Sequence, residues 1–589
     1  MRGLRILLVA PPLAAPFMPS LAVEQLAAVA RAEGHRVRTL HGPLWQPAVL
    51  PDDIIDEMAA PGVFAPGYYG IDPVAYVGEL VDAVARDASG RPVAGPRQHR
   101  RYTARYLHAV REAEACVRTL VRAVPEPAPD VVGFSVAFDT QKVPAAAIAR
   151  ALRARGVPGL FVVGGTGMAG EMGPAFLAQF AEFDVAVQGD ADPAWPMLLE
   201  RVRARRPVHD VPGCVSRRGD LLVTTPGVPG GGARPAVVPD YTSYLADKRD
   251  SPYRDSAFLA PVWTAGQPAA RIGELHHRFR PDVVYCTDDE VPAGRLESVG
   301  AGPRPPVFCA TSGGLSRQAL AGLARAGVAW VQPDIDTLAA PALPSVSYLK
   351  WARAYGMAVS YDIRTGTPGE TAGQLREMAA LVPLLAHLPP PQGRTQLRLE
   401  RFSDYFDRPE EFGIHGVRPF ATQRVLYRCE DSRLLRLCHR LDYRVRAGAQ
   451  DEEYLRARDR LDAALAGWVA DHHAGATLSL HRVGHAVIVG QSLGGLEPGF
   501  DIVNEPDDVL LLSTCAEPTT LQYLAHMHAA RLEELRAAAR RLRDQRLMLV
   551  DGDTALALPV PGGAAHAVAC CRARSTAGAG LPSRPCRGR

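Results

Sequence analysis

Ten cysteines stand in a chain of 589 residues, and none are spaced as Cys-x-x-Cys or Cys-x-x-x-Cys. Cys116, Cys214, Cys286, Cys309, Cys429, Cys438, Cys515, Cys570, Cys571 and Cys586 are spread along the sequence. Local sequence therefore assembles no thiolate site for zinc or iron–sulfur. So few cysteines in so long a chain make no disulfide scaffold, and a reducing cytoplasm is expected. No apolar run approaches about 18 residues, so no membrane-spanning helix is expected. Charge of one sign is lacking too: 66 basic against 63 acidic residues leave +3. That balance supports neither a nucleic-acid nor an anionic-membrane partner. The start "MRGLRILLVAPPL" has a basic opening and a short apolar run, and the helix that follows marks it as a buried first strand rather than a signal peptide.

What is present is ordinary globular composition, 47% apolar and 22% charged. The length predicts two to four domains. "LRILLVA" (4–10) reads as a strand, and the segment after it as a helix capped by Ser20 and ended at Gly34. Residues 43–125 read as an insertion with a helix near 103–123. Strands then alternate with helices: "DVVGFSVA" (130–137), "GLFVVGG" (159–165) and "VAVQGD" (185–190). This predicts a doubly wound parallel sheet over 1–240, with ligands at the carboxyl ends of its strands.

From 251 to 420 a second strand–helix repeat appears. "FLAPVWTA", "DVVYCTDD", "PPVFCATSG", "VAWVQPDID", "MAVSYDIRTG" and "TQLRLERFS" are its six strand segments, as in a partial version of the eight-fold barrel. Ser316 is the expected cap of one helix, and acidic Glu370 is the expected start of another. Polar residues crowd the strand ends, and Asp288, Asp336, Asp362 and Glu400 are candidate general bases. Cys286 and Cys309 read as small core residues, and His276 and His277 as residues of a helix. Residues 421–474 read as a helical connector. Residues 475–560 read as a small winged-helix-like α+β domain, with a hairpin turning at Asp551–Gly552. Residues 561–589 read as a disordered tail.

Ser135, followed at Gly164–Gly165 by a glycine pair, resembles the Ser-x-Leu…Gly-Gly half of a cobalamin-binding flavodoxin-like domain, with Ala137 in place of the Leu. The alternative is a generic doubly wound domain whose glycine pair is only a turn. The phrases "VVGGTGMAGEMGPAFLAQF", "GLSRQALAGLARAGVAWVQPDIDTL" and "SYLKWARAYGMAVSYDIRTGTPGET" resemble the cobalamin-binding radical SAM family, of the type that matures ribosomally made peptides. The resemblance covers roughly residues 4–42 and 128–558. It implies a cobalamin site at Ser135, Ala137, Phe138, Gly164, Gly165, Thr166, Glu171, Gly189 and Asp190. SAM remains open, with "GTPGE" (Gly366, Gly369 and Glu370) marking its side. Two family features are missing. The loop "PPLAAPFMPS" lacks the Asp-x-His-x-x-Gly that supplies cobalt with a histidine, so cobalamin would bind without one. The loop after the first barrel strand, "GQPA", lacks the Cys-x-x-x-Cys-x-x-Cys of the 4Fe-4S cluster, and Gln267 alone is no substitute. No iron–sulfur ligands, and no other metal ligands from the protein, are expected. The resemblance implies a cobalamin enzyme, methyltransferase-like, acting on a precursor peptide or small natural product. The alternative is a non-catalytic relative that binds precursor peptide or partners an intact radical SAM enzyme. In such enzymes a winged-helix module holds the leader peptide by strand addition; a lid or dimerisation element is the other reading of residues 475–560.

Overall fold

The computed structural model describes residues 3–47, 59–85, 95–124, 126–227, 237–264, 268–296, 305–445, 451–492 and 498–562. Of the expected tail, 561–589, Pro561 belongs to a short strand, and the residues from 563 lie outside the described ones. Among the described residues no helix is long and apolar enough to cross a membrane.

The first sheet contains β1 (Arg5–Ala10), β2 (Arg36–His41), β3 (Val131–Ser135), β4 (Leu160–Gly164), β5 (Val185–Val187), β6 (Cys214–Arg218) and β7 (Leu221–Thr224), in the order β2-β1-β3-β4-β5-β6-β7. The first five are parallel, and β6 and β7 add an antiparallel edge. Its inner strands β1, β3, β4 and β5 are near-continuous apolar runs because both faces are buried. Leu7, Val9 and Val132 pack to one side; Ile6, Leu8 and Val131 pack to the other. The helix Leu21–Ala32 starts where Ser20 accepts a hydrogen bond from the Val23 amide, as its cap position requires. The strand order reverses between β1 and β3, which opens a crevice at their carboxyl ends. The insertion holds a 27-residue helix, Pro96–Arg122, longer than expected.

The second sheet is parallel: β8 (Leu259–Val262), β9 (Val283–Cys286), β10 (Val307–Thr311), β11 (Val328–Pro333) and β12 (Ala358–Val359), in the order β12-β11-β10-β9-β8. The expected fifth strand is broken at Ser360–Tyr361. It resumes as β13 (Asp362–Thr365), which pairs in parallel with β14 (Gly393–Gln396). The Arg364 amide donates to the Asp336 carbonyl at 2.7 Å, so β13 still runs beside the extension of β11. The sixth segment also divides. Its second half, β15 (Leu399–Glu400), turns to an antiparallel sheet with β16 (Ile414–Arg418) and β17 (Arg440–Val445). The 421–474 segment thus holds a strand as well as helices.

Helix Ala372–Leu381 is capped by Thr371 in a capping box with Gln374, not by Glu370. A serine or threonine oxygen can bond the third amide of a helix, and Thr371 is the residue placed to do so. Ser316 caps the helix Arg317–Arg325 as expected.

The C-terminal region has β18 (Thr477–Val483), β19 (Ala486–Ser492) and β20 (Gly499–Val503), with β24 below, and β21 (Thr519–Thr520), β22 (Met548–Asp551) and β23 (Thr554–Ala557); β24 is Val560–Pro561. Asp551 pairs with Thr554, so the hairpin turns at Gly552–Asp553, one residue later than expected, with Gly552 at φ 56°. This region is anchored to the barrel helix Leu343–Ala354. Buried Lys350 donates to the Ala557 carbonyl at 2.7 Å, and Trp351 to the Ala516 carbonyl at 3.1 Å.

Candidate active site

The carboxyl ends of β1, β3 and β4 are knitted by two side chains, Gln141 and Thr166. Gln141 accepts from the Ala137 amide at 2.9 Å and donates to the Pro11 carbonyl at 3.0 Å. Thr166 donates its hydroxyl to the Ala137 carbonyl at 2.6 Å. Ser135 pairs with Gly164 across β3 and β4. Phe138 is half-buried beside them, while Glu171, Gly189 and Asp190 are exposed. The Ser135 hydroxyl has no hydrogen-bond partner among the described residues.

The two paired glycines differ in kind. Gly165 has φ 103°, and a Cβ there would lie 2.5 Å from the Val136 carbonyl oxygen. It is glycine for the sake of its own loop. A Cβ at Gly164 would meet only Val187 at 3.6 Å, an ordinary contact. A side chain could thus be accommodated at Gly164, and with the unpartnered Ser135 hydroxyl beside it these are the residues that would face the nucleotide tail of a cobalamin. No histidine reaches from the β1–β2 side. His41, paired with Ala10 at the end of β2, is 2% exposed and enclosed by Glu24 at 3.3 Å and the Tyr244 ring at 5.3 Å.

Residues 399–441 cover the outer part of this edge. Lys142, fully buried, contacts Asp139 at 2.6 Å and donates to the Leu437 carbonyl. The other Asp139 oxygen accepts from the His439 amide at 2.7 Å. Burial pushes the Asp139 carboxyl up, but Lys142 and the His439 amide more than reverse this, holding it below its ordinary range. Buried Arg401 donates to the Leu435 and Cys438 carbonyls and lies 3.4 Å from Glu171. Phe402, at φ 69°, presses its ring against Gly170; a Cβ at Gly170 would meet that ring at 3.3 Å. His439 stands half-buried beside it, with ring centroids 6.3 Å apart. Burial lowers the His439 pKa, so its ring is neutral at pH 7. Of Lys142, Asp139, Arg401, Phe402 and His439, only Arg401 stood out in the sequence, as one of the polar residues at the barrel strand ends. The contacts that join the two segments, Lys142 to Leu437, Asp139 to His439 and Arg401 to Glu171, span 230 to 300 positions, and no local pattern announces them.

At the barrel mouth the four expected bases separate into two groups. Asp288 accepts from the Thr264 amide at 2.8 Å and faces Arg295 at 3.9 Å, closing the end of β8. Glu400 is buried and accepts from Arg440 at 2.9 Å, so it is a structural anion. Asp336 and Asp362 are accessible and share their surroundings with Arg364, which is 3.1 Å from Asp336. Burial raises the Asp362 pKa, against the pull of Arg398 and Arg364. Glu370 is turned inward: it accepts from the Gly366 amide at 2.7 Å and from the Tyr454 hydroxyl at 2.5 Å. Gly366 and Gly369 hold positive φ in that turn.

Strand β8 ends at Val262 and the next helix begins at Pro268, leaving five connecting residues with no cysteine. Ala265, Gly266 and Gln267 of this link lie outside the described residues. His276 and His277 sit on that helix, Pro268–Phe279. Cys286 and Cys309 lie inside β9 and β10, each 0% exposed, and burial drives the Cys286 thiol well above its ordinary pKa. Among the described residues no group of three or more His, Cys, Asp or Glu could hold a metal ion.

No protein-family model and no curated protein sequence matches the chain. Among solved structures, it is similar to TsrM from Kitasatospora setae, a radical S-adenosylmethionine methyltransferase with cobalamin and a 4Fe-4S cluster bound. The TM-score is 0.52 at 15% identity, over 80% of this chain and 92% of that one. This chain has that fold. A second TsrM structure, with tryptophan substrate and the SAM analogue aza-SAM bound, gives a TM-score of 0.51 at 15% identity over 78% and 89% of the two chains. The mixed α/β architecture with separate parallel sheets is thus the one expected from the sequence.

Proposed function

We propose that the chain binds cobalamin at the carboxyl edge of the first sheet and serves methyl transfer, or allied two-electron chemistry, on a ribosomally made peptide or related natural product, without a 4Fe-4S cluster. One conjunction carries this reading: the Ser135 hydroxyl is unpartnered beside an uncrowded Gly164 while the β8 link has five residues and no cysteine. The fold shared with a cobalamin-binding methyltransferase supports it. Bound cobalamin would supply a methyl carrier working between a donor and an acceptor. The chain's residues supply the rest. Ser135 and Gly164 hold the tail. Arg401 with Glu171, and Phe402 with Gly170, fix the first domain against the barrel mouth. Asp362 and neutral His439 are placed to take a proton from the acceptor. SAM as methyl donor stays open; Glu370 is committed to Gly366 and Tyr454, so any SAM contact there would be with glycine backbone. The C-terminal module would hold the peptide by strand addition at the β20 edge, where Phe500 and Ile502 are exposed.

The test is a spectrum. Chain mixed with hydroxocobalamin and desalted should retain corrin absorbance, and Ser135→Ala or Gly164→Val should weaken retention. Absence of corrin in the wild type overturns the proposal. A second reading, a non-catalytic relative that binds the precursor or partners an intact radical SAM enzyme, draws on the locking of Glu400 and Glu370 into internal bonds. Turnover of a peptide by this chain alone would count against it.

A further inference from the structure

The insertion and the first domain do not close up fully where they meet. Helix Pro96–Arg122 of the insertion packs beside helix Lys142–Ala154 of the first domain. The residues that face each other there are small: Ala113 and Val117 on the first helix, Ala147 and Ala151 on the second. Each pair is four positions apart and so shares one face of its helix. Small residues ordinarily let two helices approach closely. Here a cavity of about 240 Å³ remains between them, with Val63 and Phe64 completing its wall. Val63, Phe64, Ala113 and Ala147 are buried and apolar. The hollow is not forced by close backbone: a Cβ at Gly67, on the rim, would meet only the Glu114 side chain at 3.8 Å. The charged residues of the rim already have partners. Arg118 faces Glu114 at 3.8 Å, and Arg150 donates to Glu182 at 2.7 Å and to the Tyr68 carbonyl. Among the described residues, no polar side-chain atom lining the cavity is buried without a hydrogen-bond partner.

We propose that this cavity binds an uncharged, compact molecule with a skeleton of about ten carbons. Volume sets the size. An apolar cavity of about 150 Å³ holds one benzene, so 240 Å³ holds roughly ten carbons. The pairing at the rim sets the charge. A carboxylate or ammonium brought here would lose its water and find each counter-charge already matched. A much smaller ligand would leave part of the wall without contact atoms. The cavity shares no residue with the cobalamin edge or the barrel mouth, so this inference does not rest on the reading above.

Two kinds of skeleton have this chemistry, a fused aromatic pair and a branched alicyclic ring. Equilibrium dialysis of the full chain with 1-naphthol and with menthol separates them, with 1-naphthoate and phenol as the charged and the undersized controls. At least one of the two probes should bind about tenfold more tightly than both controls and raise the melting temperature as it saturates. Ala151→Phe fills the cavity from its wall and should weaken that binding about tenfold or more, while Ala151→Ser, which keeps the space, should retain it. Gly67→Leu fills it from the rim and should act as Ala151→Phe does, which keeps the test intact if the larger ring prevents folding. Binding of naphthol alone, or of menthol alone, identifies the skeleton. If neither probe binds better than the controls, or if binding survives the filling variants, the proposal is overturned.

Discussion

Lys142 and Asp139 are the most consequential pair of single residues. Both are buried, and together they hold residues 437–440 against the carboxyl edge of the first sheet. Lys142→Met strands the Asp139 charge without a counter-ion, and chemical denaturation should show a loss of about 3–5 kcal/mol. The depressed Asp139 pKa stabilises the fold above the ordinary carboxyl range, and that stabilisation is lost as pH falls. Glu24 and His41 carry the opposite pair of signatures. Burial pushes the Glu24 carboxyl up to about 8 and the His41 ring down to about 3. Below its unfolded pKa Glu24 is protonated in both states, so its penalty is absent there and grows as pH rises toward 8. His41 has the reverse effect, present above about 6.5 and lost toward pH 3. Between pH 6.5 and 8 Glu24 contributes a loss on the order of 1–2 kcal/mol, opposed above about pH 7 by buried Lys350, whose pKa burial lowers to about 7 and whose lost proton makes stability rise with pH. Glu24→Gln should remove the Glu24 share, so that the variant gains stability relative to the wild type as pH rises through this window in denaturation series; an unchanged pH slope would refute the assignment. Ser20 and Ser316 were legible as caps because a cap is a local bond. The helix expected to start at acidic Glu370 starts two positions later, at Ala372, and only the fold shows that the Glu370 carboxylate goes to Gly366 and Tyr454.

At the scale of elements, the strand ends β3 and β4 make the sharpest prediction. Gly165→Ala places a Cβ 2.5 Å from the Val136 carbonyl at a left-handed φ, and should cost more than about 1 kcal/mol in a thermal or denaturant melt. Gly164→Ala should leave stability nearly unchanged and weaken corrin retention instead. Equal destabilisation by the two would mean that the glycine pair is only a turn. The strands themselves were legible because buried parallel strands are written as apolar runs. The break between β12 and β13, and the departure of β15 to another sheet, were not. Both depend on which distant strand accepts the free edge, and "MAVSYDIRTG" and "TQLRLERFS" carry no mark of it. A row of aromatic residues across β9, β10 and β11 was hidden for the same reason. Tyr285, Phe308 and Trp330 sit at different positions within their strands, and become neighbours only through the register.

At the scale of the whole molecule, the two halves of the site come from different domains joined by long-range contacts. Arg401 and Phe402 leave the sixth barrel segment and meet Glu171 and Gly170 in the first domain. Nothing in the sequence marks this seam, because its partners are 230 or more positions apart. The missing cysteines were plain in the sequence, and the structure adds that only five residues bridge Val262 and Pro268. The central claim is a cobalamin protein without a cluster. Anaerobic reconstitution of the chain with iron, sulfide and hydroxocobalamin, followed by desalting and by iron and corrin assays on the same sample, tests it most directly. The account predicts about one corrin per chain with iron near background. About four irons per chain, the content of one 4Fe-4S cluster, would contradict it.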